Sequence, residues 1–382
     1  MPTTIRSFSK INLGLAIGPV RADGFHGLTT LYQTLAVHDL VTVTARPSTA
    51  TRITLTCNIP RVPCDDRNTA FKAVRLALDS IPATAEVAIH IEKRLPVQGG
   101  MGAGSANAAA ALLALDRELR DSGIAPPCPP ERLRIAAQVG SDVPLFLIGG
   151  AVLGLGRGEE VYPMPDLPPT PCVVALPDIG VSTPQAFRDW DARHAADSPA
   201  SESAGPNPER DMRAPYASWN VGPSPSAQLT HASPSVKLNT LSRSLASAFC
   251  EPHSSGVFAL GADLAEKTAA DLFAVENPLL ALVRTGIEND FEEVVFPQNP
   301  LFGTIKRALA APGSDADTAR HDPENAAIYA ALSGSGSALF GLYATEAAAD
   351  AAEERLAKIG VRTMRTETLT REEYWKRLVA NG

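Results

Sequence analysis

The stretch Arg94-Leu-Pro-Val-Gln-Gly-Gly-Met-Gly-Ala-Gly-Ser-Ala-Asn-Ala-Ala-Ala110 joins a strand to a glycine-rich loop and then to an alanine-rich helix. The strand is predicted just upstream, because apolar residues alternate over residues 86–91. Ser105 is predicted to cap a helix that begins near Ala106. Glycine permits backbone torsions that other residues avoid, and the loop contains Gly99, Gly100, Gly102 and Gly104.

Such a loop is typical of a phosphate-binding site, and residues 99–105 are called the cradle here. Without side chains in the way, phosphate oxygens can approach the backbone N–H groups, and the N-terminus of the following helix adds partial positive charge. The loop lacks the Gly-Lys-Ser/Thr ending of a P-loop and the glycine spacing of a dinucleotide fingerprint. The alternative is a tight connection that lets a helix of small residues pack closely.

Length and composition describe a globular protein. A chain of 382 residues is long enough for two domains, and 45% hydrophobic residues without a long apolar run predict no membrane partner. The N-terminus shows no leader pattern, so we expect a cytoplasmic protein. The net charge of -8 disfavours nucleic acid as a partner. Five scattered cysteines without a Cys-x-x-Cys pair indicate reduced thiols rather than a zinc site.

Two polar residues interrupt an apolar strand predicted over residues 5–17. Lys10 either lies on an exposed face or points a cation into a cleft, and Asn12 is set with it among Ile11, Leu13 and Leu15. The turn Arg21-Ala-Asp-Gly-Phe-His26 comes next, with an aromatic ring and an imidazole at its edge. That turn is either purely structural, with Phe25 in the core, or part of a binding site.

Two later segments are candidates for the same chemistry. Asp142, within Gly140-Ser-Asp-Val-Pro144, is either a helix cap or a partly buried carboxylate suited to proton transfer or metal binding. The loop Ser333-Gly-Ser-Gly-Ser337 enters a predicted strand, and its amides and hydroxyls could help to enclose phosphates. A Ser-Gly repeat alone is usually only a turn.

The chain divides at a proline cluster over residues 163–171. We expect an N-terminal domain over residues 1–162 and a C-terminal domain over residues 163–382, the latter with a Ser/Pro/Ala-rich insertion at about residues 194–237. Besides the segments above, strands are expected over residues 40–45, 52–57, 151–155, 172–176 and 361–365, and helices over residues 68–78, 131–139, 261–273, 300–309 and 347–359.

The order of the lysine strand, the cradle and the Ser-Gly loop resembles the GHMP kinases. Five segments resemble, more specifically, the family of 4-diphosphocytidyl-2-C-methyl-D-erythritol kinases of non-mevalonate isoprenoid biosynthesis. These are Ser9-Lys-Ile-Asn-Leu13, Arg21-Ala-Asp-Gly-Phe-His26, Gly140-Ser-Asp-Val-Pro144, Gly156-Arg-Gly-Glu-Glu160 and Glu288-Asn-Asp-Phe-Glu292. The likeness runs from residue 5 to about residue 187 and resumes in patches over residues 261–345.

This resemblance implies an α+β fold of two domains. The N-terminal domain would be like ribosomal protein S5 domain 2, the C-terminal domain would be ferredoxin-like, and the active site would lie between them. The implied reaction transfers the γ-phosphoryl group of ATP to the 2-hydroxyl of the cytidylated methylerythritol, assisted by Mg²⁺. The other readings are a GHMP kinase acting on homoserine or a mevalonate-type alcohol, and a catalytically silent ligand sensor. The protein would be a monomer or a homodimer. Its partner would be a small molecule, the cytidylated polyol substrate.

The resemblance also implies site residues. Asp142 would be the base and Lys10 its electrostatic partner. Phe25 and Phe187 would sandwich the cytosine while His26 reads its edge, and Asn12 and Thr183 would lie near the diphosphate or polyol. The phosphate-closing loop would comprise Gly334, Ser335, Gly336 and Ser337. Ser105 would also be a candidate ligand for Mg²⁺. ATP would contact Pro96, Val97, Gln98, Gly99, Gly100, Met101, Gly102, Ala103, Gly104, Ser105 and Ala106.

Three positions depart from the family's usual pattern. Phe25 replaces a tyrosine, which keeps the ring and loses a hydroxyl. Ala103 stands at a position that is commonly glycine, so the loop would be strained if that position needed a positive φ. Ala106 replaces a second serine of the superfamily's cradle.

Overall fold

The computed structural model describes residues 2–21, 23–97, 99–194, 279, 288–310 and 326–380. Gln98, Cys250, the predicted helix over residues 261–273 and nearly all of the predicted insertion at residues 194–237 lie outside these ranges. Among the described helices, none has both the length and the apolar character that a bilayer crossing requires. The four described cysteines are free thiols.

The first domain is a mixed sheet covered by helices. Its strand order is β3-β4-β2-β5-β6, with β1 pairing antiparallel to β2. Strands β3 and β4 are parallel and are joined through α1, whereas the other neighbouring strands are antiparallel. The strands are β1 (Thr3–Val20), β2 (His26–Pro47), β3 (Arg52–Cys57), β4 (Ala85–Glu92), β5 (Ala151–Leu155) and β6 (Glu160–Pro163). The helices are α1 (Thr69–Asp79), α2 (Ala103–Asp121) and α3 (Pro129–Val139), followed by a 3-10 helix (Pro144–Leu147).

The second domain contains a four-stranded antiparallel sheet in the order β10-β7-β9-β8. Numbered within this domain, that order is 4-1-3-2, with helices following the first and third strands. This is the ferredoxin-like arrangement, and the expected α+β fold of two domains is confirmed. Its elements are β7 (Pro171–Leu176), α4 (Thr183–His194), α5 (Glu292–Gln298), α6 (Pro300–Ala310), β8 (Ala327–Leu332), β9 (Leu339–Tyr343), α7 (Glu346–Lys358) and β10 (Arg362–Glu367).

The end of the chain departs from the predicted order. A last helix, α8 (Arg371–Arg377), was not predicted, and it packs on the first domain rather than the second. Tyr374 and Leu378 are buried in the first domain's core, and the backbone N–H of Arg6 donates to the carbonyl of Leu378 at 2.7 Å. Residues 368–380 therefore belong structurally to the N-terminal domain, because Leu369, Tyr374 and Leu378 are buried in its core.

The candidate site lies on strand β1, and both faces of this strand are covered by other parts of the protein. Ile11 and Leu13 are fully buried on one face, in a hydrophobic cluster that also contains Val174 and Phe340 of the second domain. Successive side chains of a strand point to opposite faces. The polar residues that alternate with these apolar ones therefore share the other face, which the loop before α2 covers.

Candidate functional site

Lys10 lies at the centre of the site, and its side chain is only 3% exposed. Its ammonium Nζ is 3.2 Å from Oδ2 of Asp142 and donates to Asn12 Oδ1 at 2.6 Å and to the Gly100 carbonyl at 3.0 Å. A buried ammonium is stable only when such acceptors replace its hydration. Of the two interpretations of Lys10, the structure therefore supports the cation that points into the cleft.

Asp142 lies in the turn between α3 and the 3-10 helix, and its side chain is 29% exposed. One carboxylate oxygen faces Lys10, and the other accepts a hydrogen bond from the Tyr32 hydroxyl at 3.0 Å. Gly140 rather than Asp142 caps the end of α3. Asp142 is thus a paired carboxylate that keeps access to solvent, which is the environment that a proton acceptor for a bound substrate requires.

Asn12 is buried and orients Lys10. While its Oδ1 accepts from the lysine, its Nδ2 donates to the Thr30 hydroxyl at 2.7 Å. The Thr30 hydroxyl in turn donates to the Gly14 carbonyl. The predicted contact of Asn12 with the diphosphate or polyol stays a prediction.

The glycine-rich loop leads directly into helix α2, as predicted. The prediction that Ser105 is the N-cap of this helix is wrong. The helix begins at Ala103, three residues earlier than expected, and its N-cap is Gly102 in a left-handed conformation with φ of 68°. Ser105 therefore lies in the first turn. Ala103 has helical torsions, so the strain considered for this position does not arise. Because Gly102 has no side chain to cap the helix, the first N–H groups remain open to a ligand.

A cavity of about 410 Å³ lies in front of these N–H groups. Ala106 does not line it, because this residue is buried and its N–H donates to the Gly102 carbonyl at 2.8 Å. The cavity is also lined by Val62, Pro63, Arg67, Asn68, Thr69 and Lys93. The predicted ATP-contacting residues that line the cavity are Pro96, Val97, Gly99, Gly100, Met101, Gly102, Ala103, Gly104 and Ser105.

The Ser-Gly loop of the second domain lies directly on the cradle. The Ser333 hydroxyl donates to the Gly100 carbonyl at 2.9 Å, and the Ala338 N–H donates to the Gly99 carbonyl at 3.1 Å. A Cβ added at Gly100, which has φ of 75°, would overlap the Ser333 carbonyl. Only glycine therefore lets the two loops approach this closely.

The Glu288-Asn-Asp-Phe-Glu292 motif holds the Ser-Gly loop in place. Asn289 Nδ2 donates to the carbonyls of Leu332 and Gly334 at 2.8 and 2.7 Å. Glu292 accepts the Leu332 N–H at 2.8 Å. At the far side of the loop, the hydroxyls of Ser335 and Thr183 are 2.6 Å apart. The motif thus explains why Gly334, Ser335, Gly336 and Ser337 are brought to the cradle.

The aromatic residues predicted for cytosine lie at the other end of the site. His26 and Phe187 stack with ring centroids 5.0 Å apart and planes 8° apart. His26 Nδ1 is 3.0 Å from the Gly18 carbonyl, and Nε2 is 3.1 Å from Asp191 Oδ1. Phe25 is 54% exposed and has the guanidinium of Arg157 against its ring. The sandwich of cytosine between Phe25 and Phe187 stays a prediction, because the ring that stacks on Phe187 here is that of His26.

Tyr32 is a site residue that the sequence analysis missed. It is buried in β2, and burial, reinforced by the charge of Asp142, raises the pKa of its hydroxyl well above the usual value. The hydroxyl is therefore a permanent donor to Asp142. Glycines at positions 154 and 158 make room for this side chain, because a Cβ at position 154 would overlap the ring and one at position 158 would overlap the hydroxyl. A single tyrosine in a segment where no strand was predicted gives no sign of this role in the sequence.

Asp39 is a second residue that was missed. It is fully buried, forms an ion pair with Lys93, and accepts the N–H groups of Arg94 and Leu95 at 2.7 and 2.8 Å. These contacts fix the end of β4 just before the cradle begins. An aspartate 55 residues before Arg94 carries no local signal for this function.

Comparison with known proteins agrees with this architecture. The model of the GHMP kinases N terminal domain matches residues 68–150, and that of the GHMP kinases C terminal matches residues 274–362. The structure of a 4-(cytidine 5'-diphospho)-2C-methyl-D-erythritol kinase aligns with a TM-score of 0.57 and 23% identity over 96% of this chain and 99% of that one. A homoserine kinase from Cytophaga hutchinsonii gives 0.59 and 15% over 97% and 95%. Both structures show a likeness of fold alone.

Relatives found by sequence identify the family more closely than the solved structures do. A 4-diphosphocytidyl-2-C-methyl-D-erythritol kinase from Solibacter usitatus is 32% identical over 98% of this chain and 92% of its own length. Proteins of the same name from Thermobifida fusca and Acaryochloris marina are 42% and 40% identical over 49% of this chain, and the alignments cover 62% and 59% of those proteins. The chain belongs to the 4-diphosphocytidyl-2-C-methyl-D-erythritol kinase family of GHMP kinases, which are phosphotransferases that act on an alcohol group.

Proposed function

We propose that this protein transfers the γ-phosphoryl group of ATP to the 2-hydroxyl of 4-diphosphocytidyl-2-C-methyl-D-erythritol. The observation that carries the proposal is the Lys10–Asp142 pair, 3.2 Å apart, beside the glycine loop at the N-terminus of α2. The pair combines a proton acceptor with a fixed cation next to an anion-binding backbone. The names of the sequence relatives support this substrate.

Asp142 would accept the proton of the acceptor hydroxyl as the hydroxyl oxygen bonds to the γ-phosphorus and the bond to the β-phosphate oxygen breaks, which releases ADP. Lys10 would stabilise the negative charge that develops on the attacking oxygen. Because Asn12 and Gly100 already orient the ammonium, little reorganisation accompanies the reaction.

The cradle would hold the β- and γ-phosphates at the open N–H groups of α2, and the Ser-Gly loop would cover them from the second domain. Mg²⁺ supplies charge neutralisation when it is bound with ATP. Among the described residues, no group of three or more His, Cys, Asp or Glu side chains is placed to hold a metal ion. The Ser105 hydroxyl, which lines the cavity, fits a site in which phosphates and water provide the other ligands.

The deciding experiment is ATP consumption by the purified protein with four acceptors: the cytidylated methylerythritol, methylerythritol phosphate, homoserine and mevalonate. We expect turnover only with the cytidylated compound. Asp142→Asn should lower kcat by about 10²- to 10⁴-fold, whereas Asp121→Asn, an exposed change at the end of α2, should not.

Two results would contradict the proposal. Turnover with homoserine or mevalonate instead would overturn the substrate assignment and retain the kinase chemistry. ATP binding without turnover of any of the four acceptors would favour the ligand sensor.

A further inference from the structure

The turn between β5 and β6, residues 156–159, connects the two ends of the site. Near the cytidine end, the Gly156 carbonyl accepts the N–H of Leu28, two residues after His26, at 2.7 Å. Near the catalytic pair, Gly158 lies against the Tyr32 hydroxyl, and a Cβ there would be 3.9 Å from the Cβ of Ser141. The backbone of the intervening residue, Arg157, therefore lies between the predicted cytosine site and the turn that carries Asp142.

The guanidinium of Arg157 has a defined position. Its carbon Cζ lies 5.1 Å from the centroid of the Phe25 ring, and its Nε is 3.1 Å from Oε1 of Glu159. Glu159 also accepts the Arg157 backbone N–H. Within the described part of the chain, no hydrogen bond or ion pair uses the two terminal amino groups, and the side chain is 32% exposed. Arg157 is thus held by its inner nitrogen and keeps its two terminal amino groups available as donors.

A cytidylated polyol has its negative charge in the middle of the molecule. The diphosphate joins the nucleoside to the polyol, so it must lie between the groups that bind these two parts. Lys10 is already engaged by Asp142 and the cradle, and the chain as a whole is acidic. Paired donors of a guanidinium match phosphate oxygens in geometry as well as in charge.

We propose that Arg157 binds the diphosphate of the substrate and thereby selects acceptors that carry a nucleoside diphosphate. The assignment rests on the proposed function for the identity of the substrate. Glu159 is the residue that positions the guanidinium, and the Phe25 ring packs against the cation.

The test compares binding of two probes, CDP and cytidine, to the purified full chain by calorimetry at low salt. Arg157→Gln should weaken CDP binding by about 10- to 100-fold and change cytidine binding by less than about threefold, because only CDP carries the diphosphate. Arg46→Gln removes an exposed arginine paired with Glu86 and serves as the matched control. It should leave both affinities unchanged.

Arg157→Lys guards against a variant that fails to fold. A lysine keeps the charge but loses the paired donors, so CDP affinity should fall between those of the wild type and Arg157→Gln. An equal loss of CDP and cytidine affinity would mean that Arg157 only supports Phe25, and unchanged CDP affinity would mean that it has no role; either result overturns the assignment.

Because these titrations need no turnover, the two proposals can fail separately. Selective CDP binding through Arg157 in a protein that does not phosphorylate the cytidylated acceptor would overturn the reaction and retain the assignment. Turnover by Arg157→Gln with an unchanged KM for the cytidylated acceptor would retain the reaction and overturn the assignment of Arg157.

Discussion

The proposed transfer end of the site, formed by Lys10, Asn12, Gly100 and Asp142, differs from the proposed cytidine end, formed by Phe25, His26, Arg157 and Phe187. At the transfer end the lysine is 3% exposed and has three oxygen partners, one of them a backbone carbonyl. At the cytidine end the aromatic and charged groups contact one another, and Phe25 is 54% exposed.

The difference shows two ways to build a binding site. Backbone and buried polar groups fix the transfer end before any ligand arrives, as electrostatic catalysis requires. At the cytidine end, His26 covers the Phe187 ring and Arg157 packs on the Phe25 ring. A base that stacks on either ring would therefore have to replace one of these contacts. We therefore expect changes at the transfer end to lower kcat and changes at the cytidine end to raise the KM of the acceptor.

The largest effect is expected from Lys10→Met, which keeps the buried stem and removes the charge. We expect kcat to fall by about 10²- to 10⁴-fold while the KM values change much less, as steady-state kinetics would show. Lys72→Met, at an exposed lysine of α1, is the control. A loss below tenfold in a folded Lys10→Met protein would mean that the cation is not needed in the transition state.

Gly100→Ala tests whether the two loops must touch. The added Cβ would overlap the Ser333 carbonyl at a residue with φ of 75°, so kcat/KM for ATP should fall by about 10- to 100-fold. Gly123→Ala has a similar φ, 74°, with nothing within 4 Å of the added carbon. This control should lose only about 1 kcal/mol of unfolding free energy and keep its activity. If the two variants were equally active, contact between the glycine-rich loop and the Ser-Gly loop would not be needed for activity.

Phe187→Leu addresses the cytidine end. Loss of a stacking ring should raise the KM of the cytidylated acceptor by about 5- to 100-fold and leave the KM of ATP within about twofold of the wild type. Phe296→Leu removes a ring that stacks on Phe302 instead, and it should change neither KM. If Phe187→Leu lowered kcat instead, the separation between the two ends would not hold.

Tyr32→Phe is the smallest change, because it removes only the hydroxyl that donates to Asp142. The expected loss in kcat is about 3- to 10-fold. Since the pKa of Tyr32 is raised by burial, the hydroxyl stays protonated, and the ratio of wild-type to variant rates should be constant from about pH 6 to pH 9. Tyr162→Phe, at an exposed tyrosine, is the control. A ratio that falls to one within this range would contradict a permanent donor.

Local patterns predicted most of the elements. Apolar alternation identified β1, β3 and β4, and the helical spacing after Asn68 identified α1, whose N-cap is that asparagine. The pattern was less informative for β2, which extends from His26 to Pro47 although a strand was predicted only over residues 40–45. Its first half lies between neighbouring strands and contains threonine, glutamine and tyrosine, so the usual alternation is absent.

The start of α2 shows why the cap was misplaced. Serine is a common N-cap, but Gly102 can take the left-handed torsion that turns the chain away from Lys10, and a Cβ there would lie about 3 Å from the lysine side chain. This contact joins residues 92 positions apart. A local propensity could not register it.

By itself, the sequence determined the glycine-rich loop before a helix, the candidate catalytic residues and the family, because glycine spacing and residue type are local properties of the chain. Tertiary structure alone decided which groups meet. It placed Tyr32 on Asp142, Asp39 against Lys93, Arg94 and Leu95, Arg157 over Phe25 and the last helix on the first domain. Each of these contacts joins segments that are distant in sequence, and only the burial of apolar faces on folding brings them together.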